Sequence, residues 1–360
     1  MNLARVIGWL LISCLAAPAA DQTHLKSDER IVFYPTIAQR IRGKAAWRVK
    51  IRGCVFEPET RGILTAVLRE ALDLKDVEMT PEEEKVFNER ARLFLVDHER
   101  GKNIFVRAGL KSLAVGESNA DGRFSSEVRL ADAETGGSPH IIFDAALRPG
   151  ELRRFRGEAF KWEETGLSVI SDIDDTIKIT EVRNRQAMLR NTFLREFAPV
   201  PGMAELYQML AGSHRAQFHF VSASPWQLYE PLADFVDAQA FPHGTFALKE
   251  FRWKDRTFLS FFASPEKYKL TVIEPLLRRF SQRRFILIGD SGERDPEIYA
   301  ALAWKYPRQI ARIYIRNVTN EPGHTERHAN AFRRLPDDLW QVFTAPAELK
   351  PFDDTSATRY

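Results

Sequence analysis

Between residues 47 and 55 the chain alternates apolar Trp47, Val49 and Ile51 with cationic Arg48, Lys50 and Arg52. That two-residue period belongs to a strand with one face in a core. Short β-like runs follow at 103–106, 112–115, 124–130 and 140–146, separated by turn-forming pairs such as Asp121-Gly122 and Gly136-Gly137. Together they predict a small antiparallel sandwich. A helix interrupts it: Thr80 can cap, Pro81 suits the first helical position and Glu83 completes a capping box. Val86, Phe87, Ala91 and Phe94 then recur at helical spacing.

From about residue 166 the pattern changes. Apolar runs at 167–171, 218–222, 285–289 and 310–315 read as buried strands, with amphipathic helices at 203–210, 226–236, 269–280 and 297–304. Strand then helix, repeated, predicts a parallel sheet covered on both faces. The expected fold class is therefore α/β. A doubly wound parallel sheet spans 166–345, preceded by a smaller β-rich, sandwich-like domain over 30–160 with a helical insertion. Ligands of such sheets bind beyond the carboxyl ends of the strands, which fixes where to look for chemistry.

The first twenty residues are a different material. Arg5 precedes an almost purely apolar run at 6–15, and small residues follow to Ala20, the pattern of an export signal. Ala17-Pro18-Ala19 supplies small residues where a signal peptidase reads. Leu11-Ile12-Ser13-Cys14 resembles a bacterial lipobox in which Cys14 would carry lipid. Both readings stay open, and both put the later domains in the periplasm or outside the cell. The apolar run is shorter than the roughly 20 residues a membrane span needs.

Composition narrows the picture only a little. A chain of 360 residues with 44% hydrophobic and 28% charged residues is globular rather than disordered, and long enough for two domains. A net charge of +3 points to no nucleic-acid partner and allows, at most, peripheral contact with an anionic membrane surface. After cleavage only Cys54 would remain, so no internal disulfide is expected. With no His or Cys near it at ligand spacing, it reads as a small buried hydrophobe.

Three strands end in reactive residues: Ser171-Asp172-Ile173-Asp174-Asp175-Thr176, Ser222-Ala223-Ser224, and Gly289-Asp290-Ser291-Gly292-Glu293-Arg294-Asp295. One Asp-rich loop is usually a helix cap or a solvated turn. Three, brought to one edge by a parallel sheet, match what hydrolysis of a phosphomonoester requires. Asp172 can attack phosphorus as a carboxylate without needing a base. Asp174 can pass a proton to the departing alcohol and take one back from water. Asp290 and Asp295, with Asp172 and a backbone carbonyl near Asp174, make an all-oxygen shell suited to Mg²⁺. Ser222 can donate to a phosphoryl oxygen. Lys269, in phase with the apolar stripe of its helix, can neutralise phosphate and Asp172 together; Lys267 competes for that role. Asp175 reads as a supporting or capping group and Thr176 as a tie for the loop.

Taken together, Asp172-x-Asp174-x-Thr176, Ser222, Lys269 and the Gly289-Asp290 to Asp295 stretch resemble the four motifs of the haloacid dehalogenase superfamily. The second aspartate marks its phosphatase-type members. From about 168 to 318 the chain resembles the catalytic domain of actin-patch-type phosphatidate phosphatases. Its longest likenesses are Ser171 to Lys178, Val221-Ser222-Ala223-Ser224-Pro225-Trp226-Gln227-Leu228-Tyr229 and Leu287 to Asp295. The resemblance implies a haloacid dehalogenase-like fold. It also implies a Mg²⁺-dependent enzyme that removes phosphate from phosphatidate through a phosphoaspartyl intermediate, leaving diacylglycerol. A soluble phosphomonoester or phosphoprotein is the alternative substrate, and an exported, non-catalytic phosphate-binding module the alternative class. One departure stands out: the best-known members work inside cells, whereas this chain opens on an export pattern. The aromatic run at 258–262, with Trp253 before it, is either an acyl-chain contact or a core strand. Trp226 and Tyr229 either line the entrance or pack inside a helix, and Arg316 either binds phosphate or braces the fold.

Overall fold

The alternation around Trp47 becomes the hub of the N-terminal half. The structure is a computed structural model describing residues 21–58, 62–250, 265–320, 325–350 and 352. The export-like segment with Cys14, and the aromatic run at 258–262 with Trp253, lie outside the described residues. The strands β1 (Arg30–Tyr34), β2 (Thr36–Arg40), β3 (Ala46–Pro58), β4 (Val96–His98), β5 (Asn103–Ala108), β6 (Lys111–Glu117), β7 (Arg123–Ala131), β8 (His140–Ala145) and β9 (Arg156–Trp162) form one nine-stranded sheet. β3 pairs antiparallel with β1 and β2 along one edge and with β4 and β7 along the other. Its inward residues Val49 and Ile51 meet Ile104, Val106, Phe124 and Phe143 in a single core. Hydrogen bonding joins these strands into one curled sheet rather than two separate ones, because the 13 residues of β3 are long enough to serve four neighbours.

In the C-terminal half, β10 (Leu167–Asp172), β11 (Gln217–Pro225), β12 (Gly244–Lys249), β13 (Arg284–Asp290), β14 (Ile310–Arg316) and β15 (Trp340–Phe343) form a six-stranded, all-parallel sheet in the order β12-β11-β10-β13-β14-β15. The order reverses at β10, where the chain leaves towards β12 and later returns to β13. The helices are α1 (Gly62–Ala71), α2 (Pro81–Arg92), α3 (Asp132–Thr135), α4 (Arg185–Phe193), α5 (Met203–His214), α6 (Tyr229–Ala238), α7 (Pro265–Arg279), α8 (Asp295–Lys305) and α9 (Glu326–Phe332). Val169, Phe220 and Ile288 face a core shared with α4, α5 and α6, whereas Ile170, Val221 and Leu287 face one shared with α7 and α8. Helices on both faces explain why these strands are apolar without alternation. α2 begins as its sequence predicts: Glu83 N–H donates to Thr80 Oγ1, and Thr80 N–H donates back to the Glu83 carboxylate, both at 3.2 Å. No helix among the described residues is long and apolar enough to cross a membrane.

The halves are joined through packing as well as through the chain. Phe87 and Phe94 lie in the core of α4–α6, and Phe160 and Trp162 of β9 lie in the core of α7 and α8. The Trp162 ring sits 5.3 Å from that of Phe280. Trp226, just past β11, packs 4.4 Å from Tyr34 and beneath the Arg52 guanidinium at 4.4 Å, while Tyr229 meets Tyr34 edge-on at 5.3 Å. Trp226 and Tyr229 thus pack against the curled sheet. Cys54 is buried, and burial pushes its thiol up to about 12, as befits an inert core residue.

His219 of β11 is buried against Thr245, Nδ1 to Oγ1 2.6 Å. Burial, reinforced by nearby Arg52, lowers its pKa from 6.5 to about 3. The unfolded chain therefore binds this proton at a higher pH than the native one, so stability falls as pH drops from 6.5 towards 3, by about 1.4 kcal/mol per unit of that gap. Urea unfolding followed by circular dichroism across this range should show the fall, and His219→Gln should flatten it.

Candidate active site

Because β10, β11 and β13 are parallel neighbours, their carboxyl ends deliver Asp172, Ser222 and Asp290 to one edge of the sheet. Lys269, on the first turns of α7, enters the same place fully buried, at 0% exposure. Its Nζ lies 2.8 Å from Asp172 Oδ1, 2.5 Å from Asp295 Oδ1 and 2.9 Å from Glu293 Oε2. Thr176 Oγ1 donates to the other oxygen of Asp172 at 3.2 Å. Lys267, the competing lysine, is exposed. Gly289 is required by this geometry: a Cβ there would come 2.2 Å from Asp295 Oδ2.

Three carboxylates, of Asp172, Glu293 and Asp295, share this ammonium, and a fourth, of Asp290, lies close enough to feel them. Burial and the neighbouring Asp295, Glu293 and Asp290 raise the pKa of Asp172 well above the carboxylate range, against the pull of Lys269. Asp290 is raised well for the same reasons, burial first and then Asp295 and Glu293. Burial alone would lower Lys269, but Asp172, Asp295 and Glu293 hold it well above its ordinary value.

Asp290 Oδ1 accepts from Gly292 N–H at 2.6 Å and Glu293 N–H at 3.2 Å, while its buried Oδ2 has no hydrogen-bond partner. Oxygens of Asp172, Asp290 and Asp295 lie within 4.8 Å of one another. An orphaned oxygen, surplus negative charge and an all-oxygen donor set fit a hard divalent cation.

Asp174 has a different set of partners. Its Oδ2 accepts from Ser222 Oγ at 2.7 Å and from Ser224 Oγ at 3.2 Å, and its Oδ1 lies 2.8 Å from both Lys178 Nζ and Thr180 Oγ1. Burial would raise its pKa, but the Lys178 ammonium and these hydrogen bonds outweigh it and hold Asp174 at about 2. Asp175, with φ at 55°, accepts from the N–H groups of Thr180, Glu181 and Val182 at 2.7–2.8 Å and so pins the loop that carries the two catalytic candidates. Arg316 Nη1 donates to the Asp175 carbonyl at 2.6 Å, which places it as a brace of that loop.

Three contributors escape a reading of the sequence. Glu293 carries no assigned role in its motif, and only folding turns it onto Lys269. Lys178 lies buried at 1% exposure, paired to Asp174. Arg327 of α9 donates to the carbonyls of Ser291 and Glu293 and is held by Glu297 at 2.8 Å, so it clamps the Asp290–Asp295 loop from outside. Spacing from Asp174 to Lys178 was a usable signal; nothing near Arg327 announces its partners.

Residues 167–317 match the family model of the phosphatidate phosphatase APP1 catalytic domain. Phosphatidate phosphatase APP1 of Saccharomyces cerevisiae is 37% identical over 177 residues, 47% of this chain and 30% of that protein. An uncharacterised protein of Schizosaccharomyces pombe is 31% identical over 226 residues, 60% of this chain and 36% of that protein. The chain spans about a third of the length of these curated relatives.

Proposed function

From the match of residues 167–317 to the family model of APP1-type phosphatidate phosphatase catalytic domains, we propose that the protein is a Mg²⁺-dependent phosphatidate phosphatase on a haloacid dehalogenase-like, doubly wound fold. The observation that carries the reading is the convergence of Asp172, Lys269, Asp290 and Asp295 around the unpartnered Asp290 Oδ2.

In this reading an oxygen of Asp172 attacks phosphorus, and the bond from phosphorus to the lipid alcohol breaks as the acyl phosphate forms. Lys269 and Thr176 fix the direction of that carboxylate. Asp174 starts as a carboxylate on Lys178 and Ser222. An incoming phosphate raises its proton affinity, so it takes up a proton as substrate binds and passes it to the leaving alcohol. Ser222 then turns from Asp174 to a phosphoryl oxygen. Water cleaves the acyl phosphate, returning its proton to Asp174 and freeing Asp172 and inorganic phosphate. Asp172, Asp290 and Asp295, with a main-chain carbonyl beside Asp174, would hold Mg²⁺. When bound, the ion offsets the charge of the carboxylates and of the phosphoryl oxygens. The export pattern at residues 1–20 supports a periplasmic or secreted site of action, with Cys14 as an alternative lipid anchor.

Phosphate release from phosphatidate vesicles and from p-nitrophenyl phosphate, each in EDTA and across a Mg²⁺ titration, tests the proposal. Mg²⁺-dependent release from the vesicles is expected. Activity confined to soluble esters would favour the soluble-substrate reading, and no release under any condition would favour a binding module.

A further inference from the structure

The strand period that buries Trp47, Val49 and Ile51 sends Arg48, Lys50 and Arg52 to the other face of β3, and the chemistry above does not use them. Lys50, Arg52 and Arg123 line a groove together with Phe124, Trp226 and Glu250. Trp226 follows β11 and Glu250 follows β12, so the groove opens beyond the carboxyl ends of β11, which neighbours β10, and of β12 beyond it. It therefore lies at the same edge of the parallel sheet as Asp172.

Among the described residues positive charge is in surplus there. Arg123 pairs with Glu250, and Glu127 is engaged by Arg48 at 3.9 Å. The half-buried Lys50 ammonium makes no hydrogen bond or ion pair among the described residues; its cross-strand neighbour Glu127 attracts it, but Arg52 and Arg279 of α7 both repel it. Arg52 Nη2 donates to the Phe246 carbonyl at 3.1 Å and Arg279 Nε to Gln39 Oε1 at 2.8 Å, but Arg52 Nε and Arg279 Nη2 are buried without hydrogen-bond partners among the described residues. Stacking on Trp226 accounts for the position of Arg52, but not for Lys50 beside it. Gathering like charges in a partly dehydrated groove is unfavourable unless an anion joins them.

We propose that this groove is a second anion site, taking a phosphate-type oxyanion from a lipid headgroup or a soluble phosphate ester, separate from the group that reacts at Asp172. The inference goes beyond the proposed reaction and stands on the groove alone.

Binding is read without turnover, in metal-free buffer, where the carboxylates around Asp172 repel anions and leave the groove as the attractive site. The full chain is titrated with inorganic phosphate and glycerol 3-phosphate by calorimetry. It is also sedimented with phosphatidylcholine vesicles carrying phosphatidylglycerol. The wild type should bind at low salt and weaken steeply as salt rises. Lys50→Gln and Lys50→Glu, each with unchanged circular dichroism, should weaken binding by roughly tenfold or more, and Asp172→Asn should bind as the wild type does. Binding to vesicles alone would identify a headgroup at a surface as the source, and binding to the soluble anions alone a free phosphate. Failure of the wild type to bind any of them, or equal binding by the Lys50 variants, overturns the proposal whatever the phosphatase assay reports.

Discussion

Asp172→Asn is expected to lower phosphate release by about a thousandfold or more while raising the melting temperature of the metal-free protein. The first effect follows from the proposed mechanism, in which a carboxylate oxygen of Asp172 forms the acyl phosphate; an amide oxygen keeps the shape but not the nucleophile. The second follows from charge. Asp172 has its pKa raised by burial and by three neighbouring carboxylates, so its ionised form is disfavoured in the native state. A carboxyl whose folded pKa exceeds its unfolded one favours the native state at low pH. That contribution disappears as pH rises through the folded value, so at neutral pH the charge is a net cost. The neutral amide removes that cost. Single-turnover phosphate release and calorimetric melting at pH 5 and pH 7.5 check both halves. Turnover within tenfold of the parent would remove Asp172 as the nucleophile. A lower melting temperature would mean that its pairing with Lys269 outweighs the repulsion.

Lys269→Met should be the most damaging single change to the fold in this region. It leaves Asp172, Glu293 and Asp295 buried together without their shared ammonium. Breaking a buried ion pair by removing one partner costs about 3–5 kcal/mol. Because the remaining carboxylates then bind protons more tightly, the variant should regain stability as pH is lowered from 8 to 6, and also when Mg²⁺ is added. Lys267→Met, at an exposed position, is the control and should change little. Urea denaturation of both variants, with and without Mg²⁺, decides the matter. Equal losses from the two would show that burial of Lys269 is not what couples it to stability.

How far the sequence carried is clearest at three places. The apolar runs ending in Asp172, Ser222 and Asp290 were readable because a buried parallel strand shows its character locally, and strand-then-helix order fixes which ends meet. Thr80-Pro81-Glu82-Glu83 was readable because a capping box is complete within four residues. The shape of the N-terminal sheet was not readable. β3 pairs with residues as distant as Ala131, and β2 pairs in parallel with β9 from across the whole domain, so whether the strands form one layer or two depends on partners that local periodicity does not encode. Within the site, Glu293 and Arg327 escaped for the same reason. Their function lies in whom they touch, and a glutamate between two aspartates or an arginine on a short terminal helix has the composition of an ordinary surface.

β9 carries one last implication. It belongs by hydrogen bonding to the curled sheet, yet Phe160 and Trp162 insert among Phe280 and the residues beneath α7. A polypeptide trimmed to the family-matched stretch would leave the underside of α7 without its aromatic lid and turn a greasy surface to water. The two halves are thus less like beads on a string than like two boards sharing a dowel. Heating should release them in one cooperative step, and an evolutionary swap of the front half would have to bring its own dowel.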